Sequence, residues 1–268
     1  MRRHTAVAGS FYPAGRSELL KVLSRLVEPR PDRVKAVAVV SPHAGYVYSG
    51  AVAGAVFSSV EVPEHIIILG APHADFRPRF SVIPEGTWES PLGDVPIDAA
   101  LAGLVLKHAP LAEPADHPHE DEHSIEVQVP FLQTLQSKLS IVPVHVNFRS
   151  TYDELDRFGR GLAGAVKAFG SEVLILASTD MSHYIDQESA RKLDFLAIDR
   201  IVALDGKGLF ETVRRNRISM CGFQPVTAAI QAAKALGATR GELIKYQTSG
   251  DVTGETSQVV GYAGLRIL

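Results

Sequence analysis

The chain alternates between short, continuous apolar runs and longer stretches with helical periodicity. Four of the runs are rich in β-branched residues, as expected of strands that are buried on both faces of a sheet. These four strand predictions cover residues 34–40, 65–69, 140–146 and 172–177. Weaker strand patterns cover residues 80–83, 243–248 and 259–267.

Helical patterns lie between these runs, at residues 17–26, 50–60, 153–169, 188–204 and 226–236. Gly170 follows the third of them, and Pro225 and Gly237 bracket the last, as expected at helix ends. Alternation of strands with helices predicts an α/β fold in which helices cover both faces of an open, mixed sheet. No linker-like composition divides the chain, so we predict a single domain over residues 1–268.

Composition and charge narrow the functional classes. The 268 residues are 46% hydrophobic and 21% charged, which is ordinary for a globular protein. A net charge of −3 without a basic stripe argues against a nucleic-acid partner. There is no apolar run of the length that crosses a membrane, about 18 residues. One cysteine excludes an intrachain disulfide, and we predict a cytoplasmic protein.

Polar side chains follow each of the four strong strand patterns. In open α/β sheets, ligands bind outside the carboxyl ends of the strands. If these strands are parallel neighbours, their polar ends share one crevice. The side chains concerned are His43, His73, His145, Asn147, Asp180 and His183.

Each of these residues also has a purely structural interpretation. His43 and His73 both follow a proline that holds the chain extended, which suits metal ligands but also ordinary turns. Asp180 and His183 are three residues apart, as on one face of a helical turn. Asp180 could therefore orient the imidazole through Nδ1 as part of an acid–base pair, or it could cap a short helix.

Two further segments carry candidate chemistry. Cys221 precedes a predicted helix, where a thiol tends to have a lowered pKa, although free cysteines more often pack as small hydrophobic residues. Residues 117–126 include three histidines and four acidic residues. For most of this segment we expect a solvated loop, with His123 as the member that points inward.

Several common nucleotide and hydrolase motifs are absent from the sequence. There is no phosphate-binding P-loop and no G-x-G-x-x-G after a strand. A G-x-S-x-G nucleophile elbow is missing as well. These absences disfavour a nucleotide enzyme and an ordinary α/β-hydrolase.

The motifs together resemble the MEMO family, in the order found there, over nearly the whole chain. They lie at residues 8–14, 41–50, 68–73, 120–126, 178–183 and 221–225. The sequence is similar to microbial members known as protein B of the AmmeMemoRadiSam system. The resemblance implies an α/β/α sandwich related to class III extradiol dioxygenases, and radical-SAM and AMMECR1-type proteins as partners.

The resemblance also implies a set of site residues. His43, His73 and Cys221 would hold one metal ion, while Asp180, His183 and His123 would line the same pocket. Family members are reported to bind iron or copper, and some are described as signalling adaptors. We favour iron(II), with copper or zinc as alternatives, because imidazole and thiolate suit all three metals.

Two residues depart from the family pattern, Ala74 where many members have a second histidine and Phe223 where an arginine often follows Cys-Gly. We therefore assign no substrate by analogy with the family.

Three functions remain open at this point. The first is a metal-dependent oxygenase for a small, aromatic substrate, in which His183 and Asp180 move protons and His123 positions the substrate. The second is a metal-dependent hydrolase. The third is a non-enzymatic adaptor that binds metal or a peptide. The sequence is compatible with a monomer and with an oligomer.

Overall fold

A computed structural model describes residues 1–28, 30–74 and 77–268. The strands in these ranges are β1 Arg2–Arg3, β2 Ala38–Ser41, β3 His65–Gly70, β4 Phe80–Val82, β5 Thr87–Trp88, β6 Val95–Pro96, β7 Ala112–Pro114, β8 Ser140–Val146, β9 Val173–Ser178, β10 His183–Ile185, β11 Gly241–Thr248 and β12 Val259–Ile267. The α-helices are α1 Arg16–Leu26, α2 Tyr46–Ser59, α3 Ala99–His108, α4 Val129–Leu135, α5 Tyr152–Phe169, α6 Gln187–Val202, α7 Gly206–Asn216, α8 Phe223–Ala235 and α9 Gly250–Thr253.

One large mixed sheet organises the fold. Its strand order is β10-β12-β2-β9-β3-β8-β4-β7, with β11 paired to β12 as well. The central strands β2, β9, β3 and β8 are mutually parallel. Both β12 beside β2 and β4 beside β8 run antiparallel. The four strong strand patterns therefore become adjacent parallel strands, and their carboxyl ends meet at one edge.

Helices pack on both faces of this sheet. Along β3, the side chains of Ile66 and Ile68 lie in a core with α1, α2 and α4. Ile67 and Leu69 lie in a core with α3, α5, α6, α7 and α8. This period-2 alternation lets a strand of consecutive apolar residues serve two cores at once. The predicted α/β/α architecture with an open mixed sheet is confirmed.

The predicted elements agree with the structure where the pattern is long or strongly β-branched. Strands β8 and β12 have the predicted bounds. Helix α5 starts with a Thr151–Glu154 capping box and ends at Gly170, which has φ 77. Strand β2 is shorter than predicted, since Val34 makes only an isolated bridge to Val60.

Some helices are longer than predicted or were not predicted. Helix α8 begins at Phe223 and contains Pro225 in its first turn, where no backbone N–H donor is required. Helices α3 and α7 have no counterpart among the predictions. Each starts with an aspartate cap, Asp98 and Asp205. Within the described ranges, no helix is long and apolar enough to cross a membrane.

The tight contact between α5 and α8 generates a test with a matched control. A Cβ at Gly159 would lie 2.5 Å from the Ala228 carbonyl oxygen, whereas a Cβ at Gly103 in α3 meets open space. We expect Gly159→Ala to lower the free energy of unfolding by about 1–3 kcal/mol through overpacking. Gly103→Ala should raise it by roughly 0.5–1 kcal/mol through helix propensity. Urea unfolding measures both, and equal effects at the two glycines would contradict this packing.

Candidate metal centre

The site begins where β2 and β9 end side by side. Ser41 pairs with Ser178 in the parallel ladder, so His43 and Asp180 each lie two residues beyond the paired strand ends. The backbone N–H of His43 donates to Oδ1 of Asp180 at 2.8 Å. The register of two buried strands thus places these two candidates in direct contact.

The hydrogen bonds of Ser178 assign the tautomer of His43. The Ser178 hydroxyl donates to the carbonyl of Ser124 at 2.6 Å, and Gln128 Nε2 donates to Ser178 Oγ at 3.0 Å. Because its single proton is used, Ser178 accepts from His43 Nδ1 at 2.9 Å. Nδ1 therefore carries the proton, and Nε2 keeps a lone pair that faces the site. Orientation of a ligating imidazole by its second nitrogen is the usual arrangement in metal sites.

Glu122 organises the other two histidines. Its carboxylate accepts from the backbone N–H of His73 at 2.6 Å, of His123 at 2.8 Å and of Ser124 at 2.9 Å. Nδ1 of His73 lies 3.0 Å from Oε1 of the same carboxylate. Since an ionised carboxylate only accepts hydrogen bonds, Nδ1 of His73 is the donor and Nε2 is left free.

Three imidazoles converge on one point. One ligand atom from each of His43, His73 and His123 lies within 4.8 Å of the others. The His73 and His123 rings stack with centroids 4.5 Å apart, and the His43 ring stands edge-on to both. This cluster could hold a metal ion, and imidazole nitrogens fit a transition metal better than calcium or magnesium.

Cys221 lies against the same group. Its Sγ is 3.3 Å from Nε2 of His43 and accepts from the backbone N–H of Asp180 at 3.2 Å. The close approach requires Gly222 as the next residue, because a Cβ there would lie 2.4 Å from the carbonyl oxygen of Ser178. Sulfur that is already accepting an N–H proton suits a thiolate ligand.

Of the two interpretations of Cys221, the one with a lowered thiol pKa is not supported. Burial, together with the nearby Asp180 carboxylate, raises the pKa of Cys221 to about 12 instead of lowering it. Proximity to the start of α8 does not overcome this desolvation. A metal cation would have to displace the thiol proton.

The rings of His43 and His123 are held in the neutral form, whereas His73 differs. Burial lowers the pKa of His43 to about 3 and the pKa of His123 to about 4, so both rings are neutral near pH 7. For His73 the hydrogen bond to Glu122 raises the pKa above its ordinary value. Neutral imidazole is the form that binds a metal.

Asp180 and His183 lie near the site but do not form the expected pair. Nδ1 of His183 donates to the carbonyl oxygen of Ser219 at 2.8 Å, and the His183 N–H donates to Ser219 Oγ at 2.7 Å. Residues 179–182 form neither a helix nor a strand, so Asp180 caps no short helix. Ser219, not Asp180, orients the His183 ring. The contact is made by Nδ1, and Nε2 takes no part in it.

The expectation of a solvated loop at residues 117–126 is wrong for its inward-facing members. Glu126 is 1% exposed and is ion-paired with Arg3, which is also 1% exposed. Glu126 also accepts from the Tyr12 hydroxyl at 2.6 Å, while Arg3 Nη2 donates to the Glu122 carbonyl at 2.6 Å. The N-terminal segment thereby covers the loop and compensates its buried charge.

Sequence reasoning missed the residues that hold the ligands in place. Glu122 and Ser178 both fall inside quoted motifs, but neither was assigned a role. The signal for Glu122 was its place immediately before His123. Arg3 had no usable signal, because its contact with Glu126 joins positions far apart in the chain.

Comparisons with known proteins give the family and the fold. The profile of a family described as "Memo-like protein" matches residues 3–266. A "MEMO1 family protein" of Aquifex aeolicus is 41% identical over 269 residues, covering 99% of each chain. One from Archaeoglobus fulgidus is 41% identical over 263 residues, covering 98% of each. A solved Escherichia coli K12 protein, described as uncharacterized, shares the fold with a TM-score of 0.56 at 15% identity, covering 85% of this chain and 99% of its own.

A buried histidine beneath the site, His145, predicts a pH dependence of stability. Burial lowers its pKa to about 4 in the folded protein, against about 6.5 when unfolded. Only the unfolded chain takes up this proton between those values, so stability falls as the pH is lowered from 6.5 towards 4. His145 contributes about 1 kcal/mol per pH unit to that slope near pH 5.

The measurement is urea unfolding of the wild type and His145→Gln at a series of pH values. We expect a shallower slope in the variant between pH 5 and 6, and equal slopes above pH 7.5, where the imidazole is neutral in both states. Identical slopes between pH 5 and 6 would show that His145 is not buried as a neutral ring.

Proposed function

Since the chain belongs to the family of Memo-like proteins, we propose that it is a metal-dependent redox enzyme of the oxygenase type for a small, aromatic substrate. The observation that carries this proposal is the convergence of three imidazoles and a thiol at the carboxyl ends of parallel strands. Active sites of open α/β sheets occupy that edge. An adaptor that binds only a peptide would not require three imidazoles and a thiol gathered at one place.

We propose that His43, His73 and Cys221 are the metal ligands, with His123 beside them. Free Nε2 atoms on two oriented imidazoles and the Asp180 N–H directed at Sγ support this choice. Two imidazoles and a thiolate leave further coordination positions, as in catalytic rather than closed structural sites. Iron(II) bound in this way supplies dioxygen activation, and copper or zinc are alternatives for the same donors.

The chain's own residues then orient the substrate and move protons. Because Ser219 holds Nδ1 of His183, the Nε2 atom of His183 is the nitrogen that can exchange a proton with a substrate hydroxyl. Asp180 accepts from the backbone N–H of His43 and so fixes the position of that residue. The ring of Phe11 packs on His123 with centroids 4.6 Å apart, which shields that face from water and favours a flat, aromatic substrate.

The ligand assignment predicts which variants lose metal. His43→Ala should lose bound metal because it removes the imidazole whose Nε2 lies 3.3 Å from the thiol sulfur. Cys221→Ser should lose more metal than His123→Ala if the thiolate is the third ligand, while the reverse order would assign that place to His123. Metal analysis of protein purified without oxygen measures this, with His108→Ala as control. Full occupancy in His43→Ala would contradict the assignment.

The proposed role of His183 predicts an effect on turnover. His183→Ala should keep its metal and lose roughly 10²–10⁴-fold of the rate, as expected when a general acid or base is removed. The measurement is oxygen consumption by iron-loaded protein with a panel of small phenols and indoles. Product formation that continues without oxygen would favour a metal-dependent hydrolase. Undiminished oxygen consumption by His183→Ala would remove its proposed role.

A further inference from the structure

A second cleft lies at the opposite edge of the sheet, at the amino ends of the parallel strands. It has a volume of about 820 Å³, within the range of small-molecule sites. Its walls include His65 at the start of β3 and Val173 at the start of β9. The cleft is therefore separated from the candidate metal centre by the length of the strands.

The histidine of this cleft is held by a carboxylate. Nδ1 of His65 lies 2.6 Å from Oδ2 of Asp98, and the Ser140 hydroxyl lies 3.2 Å from the same oxygen. Asp98 is in turn fixed by the N–H of Leu101 at the start of α3. The Phe169 ring stands edge-on to the imidazole at 4.7 Å. With Nδ1 engaged by Asp98, Nε2 is the ring nitrogen available to the cleft.

The walls combine negative charge with an apolar surface. Three carboxylates line the cleft, from Glu61, Glu64 and Glu172. Two of them are already ion-paired, Glu172 with Lys35 and Glu64 with Lys138, so the excess negative charge comes from Glu61. The apolar part of the lining comes from Val37, Val62, Val166, Val173 and Leu236. Excess negative charge favours a cation, and the valine and leucine side chains favour a hydrocarbon body.

We propose that this cleft binds a small organic ammonium ion with a hydrocarbon body. Its ammonium group donates to Nε2 of His65 and is attracted by Glu61, and its chain packs on Val37 and Val173. An anion is repelled by Glu61, and a neutral alcohol lacks the attraction to that carboxylate. The proposal is independent of the function proposed for the metal centre.

The test is a titration of the metal-loaded protein with n-pentylamine, followed by NMR. Pentanoate and 1-pentanol serve as matched anionic and neutral probes. We expect saturable shifts of the His65 ring nitrogens and of the Val37 and Val173 signals with pentylamine, weaker binding of 1-pentanol and the weakest binding of pentanoate. The signals of His43 should stay in place, which separates this cleft from the metal centre.

Two variants assign the contacts. Glu61→Gln should weaken pentylamine binding roughly two- to five-fold, in line with one solvent-exposed charge pair. His65→Gln should weaken it further, as followed by the Val37 and Val173 signals. Glu113→Gln, on β7 outside the cleft, is the control and should bind as the wild type does.

Three results would overturn the proposal. Pentanoate binding as tightly as pentylamine would exclude selection by charge. Unchanged affinity in both Glu61→Gln and His65→Gln would exclude the assigned contacts. Shifts confined to His43 and its neighbours would place the amine at the metal centre instead.

Discussion

The parallel pairing of β2 with β9, and of β9 with β3 and β3 with β8, is the constraint on which the site depends. Hydrogen-bonded strands lie about 4.8 Å apart, so residues at the same distance beyond neighbouring strand ends are brought into contact. His43 and Asp180 meet for this reason. The strands cannot slide without exposing apolar side chains of both cores, and this fixes the register of the site.

Buried carboxylates complete what the strands begin. Glu122 accepts hydrogen bonds from three backbone N–H groups and from the ring of His73, and hydrogen bonding by His73 lowers its pKa despite burial. Glu126 beside it is paired with Arg3. Removing one partner of such a buried pair costs roughly 3–5 kcal/mol, so the N-terminal segment is an integral part of the site.

The two edges of the sheet differ in chemistry because different side chains lie at the carboxyl ends and at the amino ends of the parallel strands. At the carboxyl edge, neutral imidazoles and sulfur suit a metal ion. At the amino edge, Asp98 orients one imidazole beside an apolar cleft with excess negative charge. In both places a carboxylate engages one ring nitrogen and leaves the other for a ligand, at His73 and at His65.

The sequence by itself determined the α/β architecture, the main strands and the candidates His43, His73 and Cys221. Period-2 and helical patterns arise from residues close together in the chain, so they can be recognised in the sequence. Once the strands are recognised, the polar residues that follow them become candidates. The partners of those candidates were decided only by the tertiary structure. Glu122 reaches His73, Ser219 orients His183, and Arg3 neutralises Glu126 across long sequence separations.

The pKa of the Cys221 thiol shows the same difference between what is local in the sequence and what the tertiary structure decides. The sequence places it before a helix, a position that ordinarily lowers a thiol pKa. Desolvation and the Asp180 carboxylate, which come together only on folding, reverse that effect. Residue types and local periodicity are written in the chain order, whereas burial and charge compensation exist only once distant segments are packed together.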